Sequence, residues 1–326
     1  MRALLIALTL GLIALPLAAP AQHGGQVARL GFLGPSGREA IEKPFWQGLR
    51  DLGWIEGRNL AVERRSAGGG GQLYPELATQ LMRTKPDIVV SIATPATAAA
   101  VKTTSTVPIV FIDVGDPVMS GFVTSLARPG GNVTGMTSLN IELSAKRLEL
   151  LRAVLPKLSR VAVVACCFGT PVDVLLQKFL ADTDAAARLM NITVHTIPLK
   201  SFDDVDGLFA TITAQRAEAV IFLPSAQMTA VSARIAKLAI EHRLPVMCDG
   251  RINADAGALM AYGIDRDEIY RRAASLVDRV LKGAKPADLP VEQPTKLQFV
   301  LNLRTAKVLS LTIPQSIVYR ADQVIQ

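Results

Sequence analysis

Aromatic residues are scarce in this 326-residue chain: 10 Phe, 4 Tyr and 2 Trp make up 5% of it. Cores of an aromatic-rich β-sandwich cannot be built from that inventory, so Ala, Val, Leu and Ile must fill them, as they do where helices cover a sheet. Cysteine is rarer still, with Cys166, Cys167 and Cys248 the only three. So small and odd a number excludes a disulfide framework. His23, His195 and His242 are the only histidines. None pairs with a Cys or His at metal-ligand spacing, so neither a metal nor a cofactor is expected. A concentrated basic stripe is missing too. The formal charge is +7, but the longest basic runs are the pairs Arg64–Arg65 and Arg271–Arg272. Acidic neighbours accompany most basic residues and no aromatic platform is interleaved, which argues against nucleic acid as a partner.

What is present is an apolar start. Met1 and Arg2 precede Ala3–Leu17, then Ala18-Ala19-Pro20-Ala21. A short positive start, an apolar stretch and an Ala-x-Ala ending match a secretory signal peptide cleaved after Ala21 to free Gln22. Pro16 and Pro20 interrupt the run, and a membrane span needs about 20 apolar residues. No Cys follows to accept a lipid, so a soluble, exported, monomeric protein is expected. In a bacterium with two membranes, that means the periplasm.

Half of the residues are apolar and a single core rarely exceeds about 250–300 residues, so two domains are expected. Strand-like runs at Val27–Leu33, Asn59–Arg64, Ile88–Ser91 and Ile109–Ile112 alternate with helical patterns. Phe45, Leu49 and Leu52 mark the first helix, Leu73, Leu77 and Leu81 the second, and Thr94–Lys102 the third. The programme then restarts. A helix carrying Leu148, Leu151 and Leu155 precedes strands at Val161–Ala165, Asn191–Thr196, Ala219–Leu223, Pro245–Met247 and Ala258–Ala261. Asp173–Leu189 and Met228–His242 read as intervening helices. An amphipathic helix over 264–282 places Ile269, Ala273, Leu276, Val277 and Val280 on one face. Phe299–Leu303 and a helix Arg304–Leu311 close the chain, and Gly68–Gly71 reads as a loop. The fold class is therefore α/β: two doubly wound parallel-sheet lobes in series. In a sheet ordered 2-1-3-4-5 the strands ending near Cys166 and Cys248 lie about 9–10 Å apart, too far for a disulfide, so free thiols are expected.

Ligands of such sheets sit beyond the carboxyl ends of the strands. The loops there hold Pro35 and Ser36, Thr94, Pro95 and Thr97, Asp113 and Asp116, Cys167–Thr170, Ser225, Asp249, and Tyr262–Asp265. Ser36, Thr94, Thr97, Thr170 and Ser225 can help helix N-termini bind an anionic group, or simply cap those helices. Asp113, Asp116, Asp249 and Asp265 can face an ammonium, or else form turns or a salt bridge in the hinge region. Phe168 and Tyr262 are the aromatic candidates, Phe168 with a core role as its alternative. Catalysis is poorly served. Gly31, Gly34 and Gly37 lack the dinucleotide spacing, no phosphate-loop Lys-Ser/Thr follows, and there is no Gly-x-Ser-x-Gly elbow.

Several segments carry a resemblance. These are Gly31–Gly34 with Phe45–Asn59, the run Phe111-Ile-Asp-Val-Gly-Asp-Pro117, the run Leu126-Ala-Arg-Pro-Gly-Gly-Asn-Val-Thr-Gly135, Ala261-Tyr262-Gly263, and Lys282–Pro290. Together they resemble exported substrate-binding proteins of ABC transporters in the tryptophan/tyrosine-binding-like group, over nearly all of 27–321. The resemblance implies a periplasmic-binding-protein type I fold, in which two lobes joined by three strands close on a small solute and deliver it to a permease and ATPase. It implies an N-terminal lobe of 27–136 plus 264–294 and a C-terminal lobe of 137–263 plus 295–326. The family's ligand loops fall on Gly34–Ser36, Thr94–Thr97, Asp113–Pro117 and Tyr262. Gly68–Gly71 and Cys166–Cys167 depart from its usual pattern, and Cys167 and Phe168 would then face the cleft. A zwitterionic solute would set its carboxylate near Ser36 and Thr94–Thr97, its ammonium toward Asp113, Asp116 or Asp249, and its body on Tyr262. A module sensing a ligand for a receptor kinase and an exported enzyme stay open as alternatives.

Overall fold

The computed structural model describes residues 27–68, 71–138, 143–166, 173–199, 204–225, 228 and 231–326. The apolar start, Cys167, Phe168 and Thr170 lie outside the described residues, as do parts of the Gly68–Gly71 loop and of the Met228–His242 helix.

The first half builds a five-stranded parallel sheet. In chain order it contains β1 (Ala28–Pro35), α1 (Glu39–Asp51), β2 (Leu60–Ala67), α2 (Tyr74–Arg83), β3 (Ile88–Ile92), α3 (Ala93–Thr103), β4 (Ile109–Val114) and β5 (Val133–Thr137). The strand order is β2-β1-β3-β4-β5. β3 is buried at every position, which is why its sequence is apolar and not alternating, with Ser91 the one polar residue and its hydroxyl paired to Thr97 Oγ1. The second half builds a seven-stranded sheet. Its elements are α4 (Ser144–Val154), β6 (Arg160–Cys166), α5 (Asp173–Leu189), β7 (Thr193–Leu199), α6 (Val205–Ala214), β8 (Ala219–Phe222), α7 (Ser232–Glu241), β9 (Val246–Cys248), α8 (Arg251–Asp255) and β10 (Met260–Ile264). After α9 (Arg266–Leu281) come β11 (Leu297–Asn302), α10 (Leu303–Val308), α11 (Gln315–Val318) and β12 (Gln323–Ile325). The order is β12-β11-β10-β9-β8-β6-β7. β6 and β9 are separated by β8, and Cys248 is a buried free thiol.

Four sequence expectations need correction. β5 and β12 were not expected as strands. β10 begins and ends later than 258–261, so Tyr262 lies within a strand and not in the loop after it. β10 and β11 pair antiparallel, so the second sheet is mixed. Leu52 and Leu73 are exposed at 38% and 49%, because α1 ends at Asp51 and the buried face of α2 is Tyr74, Ala78 and Leu81.

α9 returns the chain to the first sheet. Ile269, Ala273, Leu276, Val277 and Val280 are buried there beside Phe45 and Leu49 of α1. Each fully buried side chain of this size contributes about 1.5–3 kcal/mol. The chain therefore passes between the sheets three times: after β5, between β10 and α9, and between α9 and β11. Backbone bonds hold the three passages side by side. Thr137 N–H donates to Glu292 O at 2.9 Å, and Asp265 N–H donates to Lys296 O at 3.0 Å. Arg272 adds an ion pair to Glu292 at 2.5 Å.

Candidate functional site

The strands of the first sheet and β6–β10 of the second present their carboxyl ends to the junction where the passages lie, while β11 and β12 run the other way. β1 ends at Pro35, and Arg38 follows just before α1. β4 ends through an irregularity between Ile112 and Val114, and Asp113 sits in it with φ +64°. A non-glycine residue rarely adopts that left-handed conformation, and a bulge of this kind re-aims a side chain. Here it turns the Asp113 carboxylate toward two arginines. Arg38 Nη2 donates to Asp113 Oδ2 at 3.2 Å, and Arg266 Nε donates to the same oxygen at 3.2 Å. Arg266 Nη2 also donates to Asp249 Oδ2 at 2.6 Å, beyond the end of β9. Arg266 is the first residue of α9, directly after the second passage. One guanidinium thus holds a carboxylate from each sheet.

Close backbone approach makes the Asp249 end possible. A Cβ on Gly263 of β10 would stand 1.9 Å from Asp249 O, so only glycine lets β9 and β10 lie this close. Asn253 Nδ2 reaches Asp249 Oδ1 at 3.4 Å. Arg147, on α4, donates from Nε to Tyr262 O at 2.9 Å. Arg38 and Arg147 are 1% and 0% exposed. Neither spends its whole guanidinium: Arg38 Nε and Nη1 and Arg147 Nη1 and Nη2 are buried without a hydrogen-bond partner.

Charge and burial compete across this cluster. Burial alone would push the Asp249 carboxyl up, but Arg266 and Arg147 beside it, with the Arg266 hydrogen bond, hold it below its ordinary value. Burial alone would lower Arg266, and Asp249 and Asp113 hold it above its usual value instead. Burial lowers Arg147 to about 10, with Asp249 pulling the other way, so it stays protonated at neutral pH. Burial pushes Glu42, one turn beyond Arg38, above the ordinary carboxyl value. Burial pushes the Cys248 thiol up, so it is not a nucleophile at neutral pH.

A pH dependence follows. A carboxylate whose folded pKa is depressed stabilises the fold fully above its unfolded value, about 3.9 for Asp, and loses that contribution as pH falls through the folded value. Urea-unfolding midpoints are therefore expected to change little through Asp249 between about pH 7 and 5 and to fall steeply below about pH 4. Asp249→Asn should flatten part of that acid limb. An unchanged acid limb in the variant would show that Asp249 is not held down.

The other sequence candidates divide. Pro35 ends β1 and is buried, while Ser36 is exposed, its hydroxyl 3.5 Å from Ala67 O. Thr94 and Pro95 lie in the first turn of α3. Thr97 is fully buried, donating to Ala93 O at 2.9 Å and paired with Ser91 Oγ at 2.9 Å. Asp116 accepts from Val118 and Met119 N–H at 3.0 and 2.9 Å, an Asx turn. Asp265 caps α9 by accepting from Glu268 N–H. Ser225 follows β8. Tyr262 is half-buried, edge-on to Phe299 with ring centroids 6.4 Å apart. Asp113, Asp249 and Tyr262 are brought together. The arginines that join them were missed: Arg38 and Arg266 belong to no motif, and Arg147 sits beside the apolar positions Leu148 and Leu151.

Residues 26–325 match the family described as ABC transporter substrate binding protein. The tyrosine-binding protein of Clostridioides difficile (strain R20291) is 28% identical over 276 residues, 84% of this chain and 77% of that protein. The crystal structure of a conserved domain protein from Vibrio cholerae O1 biovar El Tor superposes with a TM-score of 0.84 at 26% identity, covering 92% of this chain and all of that one (100%). An ABC domain from Streptococcus pneumoniae in complex with L-Trp superposes with a TM-score of 0.82 at 24% identity, covering 91% and 99%. With two lobes, three passages and a charged junction in place, and a match running from 26 to 325, the chain belongs to the family of ABC transporter substrate-binding proteins.

Proposed function

We propose that this protein is the exported solute-binding component of an ABC importer, capturing an amino acid in the cleft between the lobes and delivering it to a membrane permease and its ATPase. The observation that carries the reading is the ion chain Arg38–Asp113–Arg266–Asp249, which ties the two sheets together at the passages. Such a chain marks where lobe movement and solute occupancy meet. The tyrosine-binding relative and the L-Trp complex support an aromatic amino acid as the solute. The lobes comprise 27–136 plus 264–294 and 137–263 plus 295–326, and the leader is removed after Ala21 to leave a monomer in the periplasm. The solute lies among Pro35, Ser36, Thr94, Pro95 and Thr97 on one side and Phe168, Ser225 and Tyr262 on the other. Asp113, Asp116 and Asp249 line the cleft beside its ammonium. The protein binds and releases without turnover.

A thermal-shift screen of the mature chain against the proteinogenic amino acids tests this reading. A solute at about 100 times its dissociation constant stabilises the folded state by about 2.7 kcal/mol, which raises Tm by several degrees in a protein of this size. L-tryptophan or L-tyrosine is expected to give that shift and to be recovered intact. If no amino acid moves Tm, the solute class is wrong. Conversion of the bound compound would point to an enzyme.

A further inference from the structure

We propose that the first turn of α4 is the carboxylate anchor of the cleft, with Ser144 Oγ and the two Nη groups of Arg147 binding the carboxylate of the solute. This rests on the solute-binding reading above and names how that solute is held.

Three independent features meet on this turn. First, α4 runs for 11 residues, Leu143 at its N-cap makes no side-chain capping bond, and its first turn holds no acidic residue. The first N–H groups of a helix have no partner within it and carry partial positive charge, so an anion is favoured there. Second, Ser144 and Arg147 are three residues apart and share a face of the helix. Both are buried, at 3% and 0% exposure, yet Ser144 Oγ, Arg147 Nη1 and Arg147 Nη2 have no hydrogen-bond partner. Leaving such donors unsatisfied is costly, and a carboxylate matches the guanidinium fork with two parallel bonds. Thr137 Oγ1, at the other end of the same passage, is buried and equally unpartnered.

Third, the fork is fixed before any ligand arrives. Arg147 Nε donates to Tyr262 O at 2.9 Å, which sets the plane of the guanidinium and leaves both Nη groups for another partner. Asp249 acts on Arg147 electrostatically but forms no ion pair with it. Its hydrogen-bonded partner is Arg266. At the junction Arg38, Arg147 and Arg266 face Asp113 and Asp249, whose ion pairs go to Arg38 and Arg266 and not to Arg147. A negative group is wanted. The hydroxyls of the other lobe are less suited: Ser36 lies against Ala67 O and Thr97 is already bonded to Ala93 O and Ser91.

Titration calorimetry on the mature chain separates the possibilities, with L-tryptophan, L-tyrosine, L-tryptophanamide and L-tyrosinamide as probes. Replacing the carboxylate by a neutral amide is expected to weaken binding to the unaltered protein by about 100-fold. Arg147→Met should weaken binding of the amino acid by a similar factor, and Ser144→Ala, which suits a helix, by about 5- to 10-fold. The amide should be nearly indifferent to Arg147→Met. If the amino acids bind and either the amide binds as tightly or both variants bind unchanged, the anchor is wrong while the solute-binding reading stands. If neither amino acid binds with a dissociation constant below about 1 mM, the reading and the anchor fall together.

Discussion

Arg266→Met is expected to lower stability by about 3–5 kcal/mol, the cost of breaking a buried ion pair by removing one partner. The side chain is 14% exposed and holds Asp113 and Asp249, which are 7% and 9% exposed. Methionine fills much of the space but leaves the Asp249 carboxylate with no ion-pair partner, only Asn253 at 3.4 Å, a backbone N–H and the field of Arg147, and leaves Asp113 with Arg38 at 3.2 Å. A fall in Tm of roughly ten degrees should follow, measured by calorimetry or circular dichroism. The loss should come from stranded charge and not from lost volume. Adding Asp249→Asn alone to Arg266→Met should therefore recover part of it, since the Asp249 charge is then gone while Asp113 and Arg38 keep each other as partners. Full stability in the single variant would show that the junction does not depend on this guanidinium.

Gly263→Ala should be nearly as damaging, for a steric reason. The added Cβ would lie 1.9 Å from the carbonyl oxygen of Asp249 and 2.9 Å from its carbonyl carbon. Both are backbone atoms of the neighbouring strand, so no side chain can rotate away. β9 and β10 must move apart, at a cost of roughly 3 kcal/mol, the upper end for forcing an extra carbon into a packed site. Because β9 delivers Asp249 to Arg266, solute binding should weaken along with stability. A variant with normal Tm and normal affinity would contradict the close approach.

These two residues show where the sequence was readable and where it was not. The buried strands β3 and β4 announce themselves as apolar runs, and α9 does so by the spacing of Ile269, Ala273, Leu276, Val277 and Val280. β5 reads Val-Thr-Gly-Met-Thr, a segment with no alternation that becomes a strand because β4 and the third passage bond to it. Gly135 is needed there, since at φ +155° a Cβ would stand 2.1 Å from Phe111 O. The three-residue strand β12 carries no local pattern. In the site, the loops after the strands pointed to Asp113 and Asp249, but Asp116 and Asp265 serve local backbone N–H groups, as residues of that type commonly do. The arginines stayed hidden for a different reason. An isolated arginine is a surface residue by default, and Arg38, Arg147 and Arg266 are drawn inside only once two separate sheets and a returning helix surround them.

The most direct test of closure around a solute is small-angle X-ray scattering of the mature protein with and without L-tryptophan or L-tyrosine. The radius of gyration is expected to fall as solute is added and to reach its lower limit at one equivalent per chain. An unchanged scattering curve under saturating, calorimetrically verified binding would contradict closure, and an unchanged curve with no binding at all would contradict the solute.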